Sequence, residues 1–453
     1  MIARSMDRAT EEAIQRASVL GFQTVWDRFE AQMPQCGFGE TGLCCRNCMQ
    51  GPCRISPFED GPKVGVCGAT ADIMVARGLL RAVAAGTASH GGHAKHMAHT
   101  LLMASQGSAP DYKVTDEKKL LSVAKRVGIE PNGKDINTIA QELARVALSE
   151  FSEKDSPLSW VATTVTEGRV KKLMPLGVVP TGIDSAVSEA MHRSTYGVDS
   201  DPVNLLLGAV KCALADYASC HLATDIADIL FGTPSPIKTR ANLGVLNEKA
   251  VNIALHGHNP LLSEMVVRAS EEPDLIEKAR KAGAQDGINV VGICCTGNEV
   301  MMRHRIPLAT SSVSQEAALL TGAVDAMVVD YQCVMPALQS ASECLHTQII
   351  TTMGISKIPG ALHVEFEETH ALQRARQIVE AAIEAFKRRD MAKVNIPDVS
   401  SDAMAGFSVE ALVEALSLLN KEDPLKPLID NIASGNIYGV CLFAGCNTVK
   451  VPQ

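Results

Sequence analysis

The spacing of apolar residues changes near residue 235, and the change predicts two kinds of structure. Before it, apolar residues recur with helical spacing in four segments, 1–35, 72–103, 135–151 and 201–232. After it, short apolar runs alternate with helical stretches. The pattern therefore predicts a helical N-terminal domain, 1–234, that ends at the Gly/Pro/Ser-rich sequence GTPSPIK.

The second half of the chain has the pattern of a parallel sheet. Runs of strand type lie at 249–255, 288–293, 324–332 and 347–353, and helical patterns separate the first three. Alternation of strand and helix at this repeat is typical of α/β folds with helices on both faces of the sheet. We therefore predict a Rossmann-like, doubly wound domain over 235–394.

A third region begins near residue 395. It contains one helical pattern and one expected strand, 436–445, and then the sequence stops. A single strand cannot bury its two faces. The fold class predicted is thus α/β, with 395–453 as the start of a second Rossmann-like domain that another chain completes, or whose remainder lies outside a fragment.

Composition narrows the function classes. A net charge of −9 argues against nucleic acid as a partner. The first residues mix acids and bases without the apolar core of an export signal, and no apolar run has the length of a membrane span. Without an export signal, 14 cysteines predict a reducing cytoplasm and metal or redox chemistry, not disulfides.

Six of these cysteines lie within 32 residues, with the spacing C-x7-C-C-x2-C-x4-C-x13-C. Four thiolates hold one cubane iron–sulfur cluster. The short gaps let one loop wrap a cluster, and the glycines of the loop allow its backbone N–H groups to approach the sulfides. The set predicted for one cluster is Cys45, Cys48, Cys53 and Cys67.

Cys36 and Cys44 remain. Neighbouring side chains point apart, so Cys44 is not expected to join the cluster of Cys45. Two thiolates cannot complete a second cubane, but a two-fold axis presents the same pair twice, so we predict half a site shared across a homodimer. Alternatives are a zinc site, which also uses C-x2-C, a disulfide framework and inert buried cysteines; six clustered cysteines exceed one tetrahedral zinc.

Soft metal ligands also follow successive strands. His258, Cys295 and Cys333 each lie just past a predicted strand, 37 and 38 residues apart. Doubly wound sheets bind ligands at the carboxyl ends of their strands, so these residues are predicted to meet at one metal centre. Each alone could be a core residue. Cys294 is expected to pack on the strand, and Cys446 repeats the pattern after 436–445.

Four histidines recur at every third position of the second helical segment. On a helix each step rises ~4.5 Å and turns back by ~60°, which gives a slanting ladder of imidazoles suited to proton relay. A solvated face or an adventitious metal site are alternatives. The ladder is His90, His93, His96 and His99.

One carboxylate and several cysteines lie on apolar segments. Asp216 is surrounded by Ala and Leu, and a buried carboxylate needs a partner, for which a histidine is plausible. Core positions are expected for Cys212, Cys220, Cys344 and Cys441.

These motifs resemble the catalytic subunit of the anaerobic nickel–iron–sulfur carbon monoxide dehydrogenases over the whole length. The resemblance rests on the cysteine loop, the histidine ladder, and the sequences HGHNP, GICCTGNE, DYQC and CLFAGCN. It implies a homodimer with a helical domain and two Rossmann-like domains. It also implies oxidation of CO with water to CO2, two protons and two electrons, which leave through [4Fe-4S] clusters to a ferredoxin-like acceptor.

The resemblance assigns roles residue by residue. The cluster shared across the dimer would be held by Cys36 and Cys44, and the second [4Fe-4S] cluster by Cys45, Cys48, Cys53 and Cys67. The Ni-4Fe-4S active cluster would be held by His258, Cys295, Cys333 and Cys446. The acid/base would be His90, with His93, His96, His99 and Asp216 in its network.

Family members continue well beyond this length, with two further cysteine ligands and a catalytic lysine, so we expect the 453-residue chain by itself not to oxidise CO. A hybrid-cluster protein, that is a hydroxylamine reductase, is the alternative enzyme, although its N-terminal cysteines lack the C-x7-C-C spacing. An electron-transfer remnant that binds clusters without nickel is the non-enzymatic alternative.

Overall fold

A computed structural model describes residues 4–58 and 60–451 as an α/β protein. The first three residues of the predicted segment 1–35 lie outside the described residues. The helices are α1 Arg8–Val19, α2 Val25–Ala31, α3 Gly37–Glu40, α4 Ala71–Ser105, α5 Glu117–Arg126, α6 Ile136–Ser149, α7 Ser159–Thr164, α8 Glu167–Leu173, α9 Ile183–Arg193, α10 Pro202–Phe231, α11 Pro260–Ser270, α12 Pro273–Lys281, α13 Cys294–His304, α14 Gln315–Leu320, α15 Ala337–Glu343, α16 Ala371–Phe386, α17 Val409–Ser417 and α18 Lys426–Ala433.

Ten strands form two sheets among the described residues. They are β1 Cys44–Cys45, β2 Cys53–Arg54, β3 Ile237–Ala241, β4 Val251–Gly257, β5 Ile288–Ile293, β6 Leu308–Thr310, β7 Val324–Val329, β8 Gln348–Thr351, β9 Leu362–His363 and β10 Ser401–Ala405. Short 3-10 turns lie at Met174–Leu176, Leu243–Val245, Glu368–His370 and Met391–Lys393.

Contacts divide the chain into two units. One is Gln32–Leu230, which holds the small β1–β2 ribbon and helices α3 to α10. Its longest helix, α4, is rich in Ala and Leu, begins after Thr70 and runs for 35 residues without a Pro. Because the four histidines of the ladder lie on this one helix, their relative positions follow from helix geometry alone.

The other unit is Met1–Ala31 with Phe231–Gln453, and it holds an eight-stranded sheet. The strand order is β10-β3-β6-β5-β4-β7-β8-β9, parallel except where β10 pairs with β3. Every residue of the central strands β4 and β7 is buried. Both therefore consist almost wholly of apolar residues, as parallel strands covered on two faces must.

The order of strands contains a switch point. From β4 the chain adds β5 and β6 on one side, and then β7 and β8 on the other. Connections therefore leave β4 and β7 in opposite directions, which opens a crevice at their carboxyl ends. His258 and Cys333 lie in the segments that follow these two strands.

The predicted fold class is confirmed, and several details differ. Residues 436–445 contain no strand and are mostly exposed, so the prediction of a strand there was wrong. Residues 4–31 pack with the sheet unit, and β10 joins the same sheet as β3, whereas the sequence predicted boundaries at 234/235 and 394/395. Helix α1 buries Ala9, Ala13 and Ala17 in the core of that unit, which sequence spacing could not show.

Helix α10 is, among the described residues, the one long and apolar enough to cross a membrane by length and composition. It carries Asp225 and Asp228, both buried. Lys119 lies 3.4 Å and 3.2 Å from their carboxylates, and Trp160 donates to Asp225 at 2.8 Å. Paired buried carboxylates inside a folded unit are typical of a core helix in a soluble protein.

Candidate metal centres

The carboxyl edge of the large sheet gathers cysteines from three segments. Helix α13 begins at Cys294, directly after β5, and Cys333 follows β7. Burial is the main cause that raises the pKa of Cys295 to about 11, and the negative charges of Cys446 and Cys333 raise it further. Cys333 is exposed, and the partial burial of its thiol, followed by the charge of Cys446, raises its pKa. The three predicted cysteines therefore lie close enough for their charges to interact.

Cys294 also faces this group. Its pKa is raised to about 12 by burial and then by Cys333, Cys295 and Cys446. It packs partly against the sheet core, as the sequence predicted. Cys294 (φ 59°), Gln332 (φ 67°) and Cys333 (φ 59°) have left-handed backbone conformations. Such conformations cost free energy in residues other than glycine and cluster at functional sites.

Cys446 reaches the edge from an irregular segment and not from a strand. Asn447 donates from Nδ2 to Ser311 Oγ at 2.9 Å. Val449 packs against the buried pair Ile14 and Trp26. These two contacts, and not a βα repeat, hold the segment on this side of the sheet unit.

His258 follows β4, and its backbone is fixed from β7. Its N–H donates to Asp330 Oδ1 at 2.7 Å. The preceding residue, Gly257, pairs with Cys294 in an isolated parallel bridge. The structure therefore places the backbone of His258 beside the start of α13 and the end of β7, within the edge that carries the cysteines.

Two residues at this edge were not predicted as functional. Asp330 is buried and follows β7 directly. Burial raises its pKa to about 7, although the hydrogen bonds that it accepts act to lower it. Gln315 donates from Nε2 to the carbonyl of Cys333 at 2.8 Å. The only local signal for Asp330 in the sequence was its place as a single acidic residue at the end of an apolar strand, where it begins the sequence DYQC.

His256 supports the same loop from the core. Its Nε2 lies 3.0 Å from Oε1 of Gln315. Burial lowers its pKa to about 4, so the ring is neutral and can share a hydrogen bond with the amide. The pair therefore orients Cys333 through Gln315, in keeping with a supporting role for His256.

The cysteine loop forms the ribbon of the other unit. Cys45 and Cys53 lie directly opposite each other in the β1–β2 pair, on one face. Cys44 points to the other side because successive strand residues alternate. The N–H of Val66 donates to Cys53 Sγ at 3.5 Å. All six cysteines are free; the exposed ones are Cys36, Cys44 and Cys67, and the half-buried ones are Cys45, Cys48 and Cys53.

The histidine ladder meets a carboxylate at its first rung. His90 Nδ1 lies 2.8 Å from Asp216 Oδ1 on α10. The bond to Asp216, followed by a contact with Cys220, raises the pKa of His90 to about 10. The donor atoms of His90, Asp216 and Cys220 all lie within 4.8 Å of one another. His90 is therefore held as the imidazolium at neutral pH and can donate a proton.

The remaining rungs differ in exposure. His93 and His96 are half-buried, whereas His99 is exposed. The ladder thus runs from a paired, partly covered histidine to one in solvent.

Two of the expected core cysteines are not core residues. Cys220 is half-buried beside His90, and Cys441 is exposed in the irregular segment before Cys446. Cys212 is buried as expected, and burial raises its pKa to about 11. Cys220 and Cys441 were predicted as core residues because they lie on apolar stretches. Whether such a stretch is buried depends on contacts with residues far away in the sequence.

The donors present fit iron–sulfur and nickel chemistry. Thiolate is the ligand of iron–sulfur clusters, and nickel accepts sulfur and imidazole donors. None of the cysteines forms a disulfide. Burial, and after it the charges of neighbouring cysteines, raise the pKa of Cys295 and Cys333, so bound cations would be needed to stabilise their thiolate forms.

Comparison with known proteins gives consistent matches. A family model described as the prismane/CO dehydrogenase family matches residues 43–453. The chain is 58% identical over 450 residues to carbon monoxide dehydrogenase 2 of Carboxydothermus hydrogenoformans, covering 99% of this chain and 70% of that protein. It is 50% identical over 451 residues to the carbon monoxide dehydrogenase of Rhodospirillum rubrum, with the same shares covered.

Solved structures agree. Carbon monoxide dehydrogenase IV from Carboxydothermus hydrogenoformans superposes with a TM-score of 0.95 at 50% identity, over 99% of this chain and 71% of that one. A nickel-free carbon monoxide dehydrogenase from Thermococcus sp. AM4, produced without the CooC maturase, gives 0.96 at 47% identity, over 100% and 71%.

Proposed function

Because the chain belongs to the prismane/CO dehydrogenase family, we propose that its two groups of cysteines and its histidine ladder divide the work of carbon monoxide oxidation. The protein is an oxidoreductase of the carbon monoxide dehydrogenase type, which oxidises CO with water to CO2, two protons and two electrons. Iron–sulfur and nickel are its cofactors. The relatives described above give no support to the hybrid-cluster alternative.

The active metal centre is assigned to the carboxyl edge of the large sheet. His258, Cys295, Cys333 and Cys446 would hold a Ni-4Fe-4S cluster there. The observation that carries this assignment is that segments far apart in the sequence approach one another: besides burial, the charges of Cys446 and Cys333 raise the pKa of Cys295, and the charge of Cys446 raises the pKa of Cys333. When bound, the metal lowers the pKa of water and so supplies a nucleophile at neutral pH.

The cysteine loop is assigned to electron transfer. Cys45, Cys48, Cys53 and Cys67 would hold one [4Fe-4S] cluster. Exposed Cys36 and Cys44 would hold half of a second cluster, completed by the same pair of another copy in a homodimer. An anaerobic, cytoplasmic setting and a ferredoxin-like acceptor would suit clusters of this kind.

The histidine ladder is assigned to protons. His90, kept protonated by Asp216, would exchange protons with the reaction as its acid/base, and His93, His96 and His99 would lead towards solvent. The increase in exposure along the ladder supports this direction.

The metal assignment is tested by composition and by paired variants. Protein isolated anaerobically should contain nickel, iron and sulfide. Cys333→Ala should lose nickel, whereas Cys344→Ala, at the partly buried core cysteine, should keep it. Iron and sulfide without nickel in the wild-type protein, or nickel retained in C333A, would contradict the assignment.

The proton assignment is tested through pH. Asp216→Asn removes the largest cause that raises the pKa of His90, so that pKa should fall below about 10. A histidine whose pKa is higher in the folded than in the unfolded protein stabilises the fold. For His90 this stabilisation is fully present below about pH 6.5 and is lost as the pH rises through about 10. The difference in unfolding midpoint between wild type and D216N should therefore be present at pH 7 and absent above pH ~10.

The control is Asp184→Asn, which breaks an exposed pair with Lys95 on the same helix as His90. An exposed pair contributes little, so its effect on the midpoint should be small at every pH. Equal pH dependence in both variants would argue against a special role for His90.

A further inference from the structure

Asp330 is the only described residue that we find bonded to the segments after β4, β5 and β7 together. Oδ1 accepts the N–H of His258 at 2.7 Å and the N–H of Tyr331. Oδ2 accepts the N–H of Asn259 at 3.0 Å and the hydroxyl of Thr296 at 2.9 Å. One side chain therefore joins three loops, each of which carries a proposed ligand of the active cluster.

The space around this carboxylate is closed. The side chain of Asp330 is buried. A Cβ atom added to Gly257 would lie 2.0 Å from Oδ1, so glycine is needed there for Asp330 to reach its donors. Gly257 also has φ 133°, a conformation that other residues rarely adopt. Loop and carboxylate are thus fitted to each other.

We propose that Asp330 is the positioning residue of the metal centre, which holds the backbone of His258 and, through the hydroxyl of Thr296, the first turn of α13 with Cys295 in register with Cys333. The inference rests on the proposed function for the identity of the ligands. It adds a residue that touches no ligand atom of the cluster but fixes where three ligand-bearing loops lie. All four of its partner groups are hydrogen-bond donors, which suits this task.

The chemistry of the site requires a carboxylate and not an amide. A carboxylate has two oxygens and accepts four hydrogen bonds, two on each oxygen. The substitution Asp330→Asn would replace one of the oxygens by an NH2 group, which would face the donors on that side. If it faced His258 and Tyr331, two backbone N–H groups would lose their acceptor. If it faced Asn259 and Thr296, the backbone N–H of Asn259 would lose its acceptor. The hydroxyl of Thr296 could rotate and accept a hydrogen bond instead of donating one.

The matched control lies at the other end of the same strand. Asp325 is also buried, and it accepts the N–H of Asn252 in β4 at 2.7 Å. Its other partners are Arg389 and His346, and it contacts none of the proposed ligands. Asp325→Asn therefore disturbs the same strand pair without disturbing the ligand loops.

The experiment compares D330N and D325N in the anaerobically prepared, metal-loaded protein. The readouts are nickel and iron per chain, the low-temperature EPR spectrum of the active cluster and the thermal unfolding midpoint. We expect D330N to lower nickel affinity roughly 10–100-fold, as loss of a supporting group around metal ligands does, and to change the EPR spectrum. D325N should lower the midpoint more and leave nickel affinity and spectrum as in the wild type.

Nickel affinity and spectrum unchanged in D330N would overturn the proposal, as would equal losses of nickel in both variants. If D330N does not fold, Thr296→Val, which removes one of the four hydrogen bonds, takes its place; an unchanged spectrum in T296V would then overturn the proposal. Failure of the proposed function is distinct, because it would appear in the wild-type protein as iron and sulfide without nickel, and it would overturn both.

Discussion

The two ends of β7 are built in different ways. At the amino end, Asp325 meets Arg389, a buried guanidinium that also donates to the carbonyls of Glu248, Ala250 and Ala323. At the carboxyl end, Asp330 accepts from amides and a hydroxyl while thiols with raised pKa lie nearby. At the amino end the buried carboxylate has a cation from the protein itself; at the carboxyl end burial keeps the thiols protonated, and bound cations would stabilise their ionised forms.

Backbone conformation follows the same division. Three of the five described left-handed residues other than glycine, Cys294, Gln332 and Cys333, lie on the carboxyl side beside the proposed ligands; the other two are Asn242 and Arg305. At the amino side the turn before β5 uses a glycine, Gly287, with φ 77°. Most of the left-handed residues other than glycine are thus found where ligands are proposed, and at Gly287 a glycine adopts this conformation in a turn. The comparison teaches that one end of the sheet stabilises the fold and the other positions chemistry.

The largest effect is expected from the amino end. Arg389→Ala leaves Asp325 buried without its cation, so the free energy of unfolding should fall by about 3–5 kcal/mol. Denaturant unfolding measures the change. The double variant D325L/R389L should lose much less than the sum of the single variants, because a buried pair replaced by apolar groups is often nearly neutral.

The nickel affinity of folded R389A should stay as in the wild type. A loss of nickel in R389A comparable to that of D330N would break the distinction between the two ends of the strand.

An intermediate effect is expected from the glycines. Gly287→Ala forces a left-handed alanine whose Cβ meets Ile276 Cγ2 at 3.3 Å, so stability should fall by about 1–2 kcal/mol. Gly257→Ala should cost at least as much and should also displace His258, because its Cβ collides with Asp330. Unfolding and nickel content, measured on both variants, separate the two ends: only G257A should lose nickel.

The smallest effect is expected from the segment of Cys446. Asn447→Ala removes the exposed bond to Ser311, a loss of about 0.5–1 kcal/mol at most. Amide hydrogen exchange over 445–449 should rise, with little change in the unfolding midpoint. Asn436→Ala, which removes a bond to Asn431 at 3.1 Å, is the control and should leave exchange at 445–449 unchanged.

Equal exchange at 445–449 in wild type and N447A would show that other contacts hold Cys446.

Local pattern was enough for much of the fold and for part of the site. The run INVVGI became β5 with the bounds expected from the sequence, and the four histidines fell on one helix. The expectation that His258, Cys295 and Cys333 each follow a strand came from the βα repeat in the sequence. Strand 436–445 failed because an apolar run gains a strand conformation only with a neighbour to pair with, and none of the described strands pairs with it.

The sequence by itself determined the family, the α/β class and the residue types available for metals, because periodicity and cysteine spacing are local properties. Only the tertiary structure decided which residues support them. Asp330 meets His258 across 72 residues and His90 meets Asp216 across 126, and the sequence pattern does not carry contacts at such separations. Helix packing brings the second pair together, and the strand order, set by burial of β4 and β7, brings the first pair within hydrogen-bonding distance at the sheet edge.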